Sequence, residues 1–137
     1  MSHYVECKPG FTDREALIEA LITVGFDRSQ IEVHQQAAAL HGYKGDVRPQ
    51  RAHVVIRRQH VGQAANDVGW ERLPDGTFRA WISEYDARNR FNPSLQNRIR
   101  QEYAYQVIVR QQRRLGREVA RNRLPSGELE VIVSGYR

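Results

Sequence analysis

The chain has 137 residues, 27% of them charged and 40% hydrophobic, with a formal net charge of +5 and one cysteine, Cys7. That length suits a single domain around one modest core. A lone cysteine excludes an intramolecular disulfide framework and a cysteine-only zinc site. No apolar run approaches the roughly 20 residues that a membrane-spanning helix needs, and the opening MSHYVECKPG has no signal-peptide apolar stretch. The expectation is a soluble, cytoplasmic protein with no membrane segment, forming one domain over 1–137.

The first predicted element is a strand over 3–8, with Tyr4 and Glu6 on one side and Val5 and Cys7 on the other. Pro9-Gly10 ends it. Thr12-Asp13-Arg14-Glu15 reads as a capping box, and Leu17, Ile18, Leu21, Ile22 and Val24 follow at helical spacing up to Gly25. These signals predict a helix over 13–24. A strand follows over 31–34, extendable to 36, while 37–40 fits either strand or turn. Gly42-Tyr43-Lys44-Gly45-Asp46 is a loop.

The β-branched run AHVVIRR predicts a strand over 52–58, and 59–66 a turn or bulge. Strands over 68–73 and 77–83 flank the hairpin turn Pro74-Asp75-Gly76. Residues 84–91 read as polar and irregular. Asn92 then caps a long helix with Pro93 in its first turn, ending at Leu115 before Gly116. Its predicted apolar side is Ile99, Tyr103, Ala104, Val107, Ile108 and Leu115. A final hairpin, 117–124 and 128–136, turns at Pro125-Ser126-Gly127. The order is β-α-β-β-β-β-α-β-β, which implies an α+β domain: a mostly antiparallel sheet with two helices packed on one face.

Charge is uneven along the chain. Residues 1–87 carry 10 Lys+Arg against 12 Asp+Glu, whereas residues 88–137 carry 11 Arg against 4 Glu. On the long helix Arg100, Tyr103, Val107, Arg110 and Arg114 share a face, with Arg98 and Arg113 nearby. Arginine with interleaved aromatics suits phosphate contact and base stacking. The same residues also suit a rim around the core, with packed stems and wet heads.

Other motifs are weaker. His3, His34, His41, His53 and His60 make no HxH, HExxH or helical i, i+4 pair, so no metal and no cofactor are expected. Cys7 alternates with Val5 as a small apolar residue would. Gly42-x-x-Gly45, with Lys44 between, could offer amides to a phosphate or simply connect two strands. Glu84 and Asp86 flank Tyr85. In an extended segment they would point to one side, as acid–base pairs do.

The segments MSHYVECK, VGF, LHGYKGD, AHVVIRR, NDVGW, DGTF, ISEYD, NRIRQEYAYQ, GREV and GELEVIVSGY, in this order, resemble one family along nearly the whole chain. It is the conserved hypothetical chloroplast open reading frame thirty-five family of plastids, cyanobacteria and some phages. Members carry a Trp and a shorter segment where this chain has Asn92-Pro93-Ser94, and His where it has Gln106. The resemblance implies a stromal or cytosolic setting and brings no catalytic residues. Relatives encoded near AAA-type ATPases imply an accessory or adaptor role with such a protein partner.

Three functions are therefore set against one another. The leading one is a non-enzymatic binding or adaptor protein using Gly42, Tyr43, Lys44, Gly45, Trp70, Trp81, Tyr85 and Tyr103. The second is nucleic-acid binding through Arg98, Arg100, Arg110, Arg113 and Arg114. The third is a small enzyme built on Glu84 and Asp86.

Overall fold

A computed structural model describes residues 3–135. It has β1 (Tyr4–Cys7), α1 (Arg14–Thr23), β2 (Ile31–His41), β3 (Val47–Ile56), α2 (Arg58–Val61), β4 (Val68–Arg72), β5 (Phe78–Ser83), α3 (Glu84–Ala87), α4 (Pro93–Arg114), β6 (Glu118–Arg123) and β7 (Leu129–Ser134). The α+β class and the expected order hold, with single-turn helices α2 and α3 added. The stretch 37–40 belongs to β2. Tyr136, the expected end of the last strand, lies outside the described residues.

Five strands form an antiparallel sheet in the order β1-β5-β4-β3-β2, while β6 and β7 pair separately. α1 and α4 cover one face of the large sheet. Leu17, Leu21, Leu95 and Ile99 meet Val54, Trp70, Ala80 and Ile82 there in one buried cluster. Phe91, fully buried, lies between the layers, its ring centroid 5.6 Å from Phe26 and 6.1 Å from Trp70. A patterned helix stripe against an alternating strand face is what drives this packing.

The other face has a smaller core. β2 shifts register against β3 between Val33 and Ala38 and again between Ala39 and His41. Such bulges bend a strand. Leu40 packs with Ala52 and Val55, beside Tyr4 and Trp81. Gly69 in β4 makes room for them, because a Cβ there would lie 2.5 Å from the Ala52 Cβ and 3.0 Å from Leu40 Cδ2.

Two local expectations need correction. The N-cap of α1 is Asp13, whose carboxylate accepts from the Ala16 amide at 3.1 Å. Thr12 does not cap, because the Thr12 and Asp13 amides both donate to the Tyr103 hydroxyl, at 2.8 and 2.9 Å. On α4 the buried residues are Leu95, Ile99, Glu102 and Val109, whereas Ala104 and Leu115 are exposed. The β6–β7 hairpin lies along α4 outside the large sheet, so α4 serves two neighbours and its burial does not follow one stripe. No helix among the described residues is long and apolar enough to cross a membrane.

Candidate functional site

Polar side chains gather in two regions. The first is where the β2–β3 hairpin meets the start of β4. Asp67 is buried, and its Oδ2 accepts from the His41 amide at 2.7 Å and from Arg57 Nη1 at 2.9 Å. Its Oδ1 accepts from the Arg58 amide at 2.7 Å. Arg57 also donates to the Ala39 carbonyl at 3.0 Å and, through Nε, to Glu32 at 2.9 Å. Burial pushes the Glu32 carboxyl up, but hydrogen bonds from Arg57 and His34 outweigh it and hold the group below its ordinary value.

The adjacent Asn66 accepts from the Tyr43 amide at 2.9 Å and donates from its own amide to Asp86 at 3.1 Å. Gly45 closes the loop in a left-handed conformation, φ +81°, its amide donating to the Gly42 carbonyl at 2.8 Å. Arg58 reaches the Tyr43 carbonyl at 3.0 Å. A cleft of about 420 Å³ opens here, lined in part by Glu32, His41, Gly45 and Arg58. Asp67 and Arg57 use their hydrogen-bonding capacity on each other, on Glu32 and on backbone. Such a network fixes the shape of a loop.

The aromatics expected beside this loop are dispersed. Trp70 is buried under the helices and presents no surface, a correction to its expected exposure. Trp81 lies on the opposite sheet face, donating to Glu71 at 3.0 Å with Arg79 over its ring at 4.7 Å. Tyr85 is exposed on α3. Tyr103 stacks on Phe11, centroids 4.1 Å apart, and holds the start of α1 with its hydroxyl. The eight residues do not form one surface.

Glu84 and Asp86 also part. Ser83 caps α3, accepting from the Asp86 amide at 3.0 Å, so the segment is helical and the expected same-side geometry fails. Glu84 is exposed while Asp86 is buried. Asp86 Oδ2 accepts from Ser83 Oγ at 2.7 Å and from Asn66, but Oδ1 has no partner. Burial raises the Asp86 carboxyl above its ordinary value against these hydrogen bonds, with the Asp67 charge adding to the rise.

The second region is the C-terminal half of α4. Arg110, Arg113 and Arg114 line a cleft of about 630 Å³ with Tyr105, Gln106, Val109 and, from α1, Glu19. Arg113 and Arg114 are exposed, and Arg110 is half-buried with its Nε enclosed and without an acceptor. None of the three forms an ion pair among the described residues, unlike Arg57, Arg79, Arg121 and Arg123. Arg98 and Arg100, both exposed, stand about 18 and about 15 Å along the helix from Arg110 and outside this cleft.

Comparison with protein families matches residues 26–132 to one described as a protein of unknown function, DUF1257. The chain belongs to this family. Neither the curated proteins nor the solved structures contain a match. The DUF1257 segment runs from Phe26 to Ile132. It holds both polar regions apart from Glu19, and leaves β1 and α1 outside.

Glu32, His41, Arg57, Asn66 and Asp67 were not expected to converge. Their one signal in the sequence is polar residues at strand ends, Arg57-Arg58 after VVI and Asn66-Asp67 before VGW. Such residues ordinarily mark solvated turns. The long sequence separation between Glu32, Arg57 and Asp67 hides their meeting.

Proposed function

We propose that this protein is a non-enzymatic binding or adaptor protein that engages an anionic partner through the arginine-rich end of α4. The observation that carries this reading is the set Arg110, Arg113 and Arg114, which line an open cleft with Glu19 as its one carboxylate and form no ion pair among the described residues. Arginine left unpaired beside a concavity favours an anion, because its planar fork matches carboxylate and phosphate. The carboxylates offer no competing acid–base pair: Asp67 is saturated, and Asp86 is turned away from Glu84.

The sequence resemblance suggests placing this DUF1257 member with the hypothetical chloroplast reading frame thirty-five proteins, in a cytosolic or stromal setting. It also makes an AAA-type ATPase the first protein partner to try. Nucleic acid is the second reading, favoured by the arginines themselves. Against it, the aromatics that would stack bases are engaged: Tyr103 on Phe11, and Tyr105 beneath Arg121 at 4.7 Å.

Fluorescence anisotropy with labelled poly-glutamate and a labelled single-stranded oligonucleotide, at 20 and 300 mM salt, tests the reading. Binding of poly-glutamate at low salt that weakens at high salt is the expected result. Binding of the oligonucleotide alone would favour the second reading, and binding of neither would overturn both.

A further inference from the structure

We propose that the cleft between α1 and the end of α4 is a site for a phosphate monoester dianion. This rests on the anion-binding reading above and sharpens it. Three guanidinium groups face one carboxylate, Glu19, across the cleft, a local excess of two positive charges. A phosphate monoester carries about −1.5 to −2 at neutral pH, and its terminal oxygens can accept from several guanidinium donors at once. A phosphodiester or a single carboxylate carries only −1 and leaves half of that excess unmatched.

Arg110 sets this cleft apart from a fully solvated charge run, because it is half-buried where Arg113 and Arg114 are exposed. Arg113 and Arg114 in the last turn are explained without a ligand, since cations there complement the helix dipole. Arg110 lies one turn earlier, and its Nε is enclosed yet donates to nothing in the protein. An N–H in that position is ordinarily satisfied. That Nε is closed off from the cleft, so a phosphate there would be held by the outer guanidinium N–H groups of Arg110, Arg113 and Arg114, with the Gln106 amide at the wall. The cleft volume of about 630 Å³ falls within the range of small-ligand sites. The same chemistry could arrive as a free phosphorylated small molecule or as a phosphorylated side chain of a protein partner.

The test is an NMR chemical-shift titration of the full chain at low ionic strength. Its probes are phenyl phosphate, dimethyl phosphate, acetate and a phosphoserine peptide. Phenyl phosphate should bind at least tenfold more tightly than dimethyl phosphate or acetate, with the largest shifts at residues 105–114. Binding should strengthen between pH 5 and pH 7.5 as the second phosphate proton leaves, near pH 6. Arg110→Gln should weaken it at least tenfold, Arg110→Lys should restore part of the loss, and Arg98→Gln should leave it unchanged. The phosphoserine peptide binding more tightly than phenyl phosphate would assign the group to a protein partner, and the reverse order to a free small molecule. Equal binding of all the anions, or equal effects of Arg110→Gln and Arg98→Gln, would overturn the site. Poly-glutamate binding without any phenyl phosphate binding would remove this inference alone, whereas loss of both would remove the anion-binding reading as well.

Discussion

Asp86 carries the sharpest conflict at the scale of single residues. Its Oδ2 holds Ser83 and Asn66, while Oδ1 is buried without a partner, so the ionised carboxylate is only half satisfied. Its folded-state pKa is raised, which means that the protonated form contributes stability at acid pH that is lost as pH rises through that value. Asp86→Asn keeps an acceptor for Ser83 and Asn66 and removes the charge. Chemical denaturation should find that variant as stable as the parent or more so at pH 7, with the parent gaining relative to it as pH falls towards 4. Asp86→Ala strands the buried donors of Asn66 and Ser83 and should cost about 3 kcal/mol. A neutral Asp86→Ala would mean that the network contributes nothing. Gly69 makes a simpler case. A Cβ 2.5 Å from that of Ala52 forces apart the small second core, and Gly69→Ala should lose about 1–3 kcal/mol in the same assay.

Among the elements, α4 joins α1, the large sheet and the β6–β7 hairpin. It packs on α1 and the sheet through Leu95 and Ile99 and carries the β6–β7 hairpin on Glu102, which is buried and pairs with Arg121 and Arg123. A two-stranded hairpin is marginal on its own. Both arginines remain more than a third exposed, so water screens the pairs and the contribution is modest. Glu102→Ala should cost about 1–2 kcal/mol globally and speed hydrogen exchange in β6 and β7 far more than in β3 or β4. Uniform exchange changes would contradict this arrangement. The helix itself was legible, because Asn92-Pro93 and Gly116 punctuate it on the sequence, and Asn92 does accept from the Leu95 amide at 3.0 Å. Its buried side was not. A glutamate reads as solvent-facing until two arginines about 20 residues later are known to return to it. The start of α1 failed for the same reason, since the Tyr103 hydroxyl that takes the Thr12 amide is far away in sequence.

Over the whole molecule, the uneven charge of the sequence has a spatial outcome. The acidic first part supplies carboxylates that the fold pairs locally, as Glu6 and Glu71 with Arg79 and Glu32 and Asp67 with Arg57. The arginine-rich last third has too few carboxylates to do the same, and the deficit falls at the end of α4. The succession of elements along the chain, the hairpin turns and both long helices could be read from periodicity and from Gly and Pro, whereas the order of strands within the sheet could not. The loop network of Asn66 and Asp67 could not either, because it depends on the bulged end of β2 meeting the start of β4, where the Asp67 amide donates to the His41 carbonyl at 3.0 Å. On the function proposed above, the unpaired arginines at the end of α4 form the binding surface. The most direct test compares the parent with an Arg110→Gln/Arg113→Gln/Arg114→Gln variant and with Arg98→Gln, titrating labelled poly-glutamate at several salt concentrations. The triple variant should lose at least tenfold in low-salt affinity and flatten the salt dependence, with Arg98→Gln matching the parent. Parent-like binding by the triple variant would contradict the account.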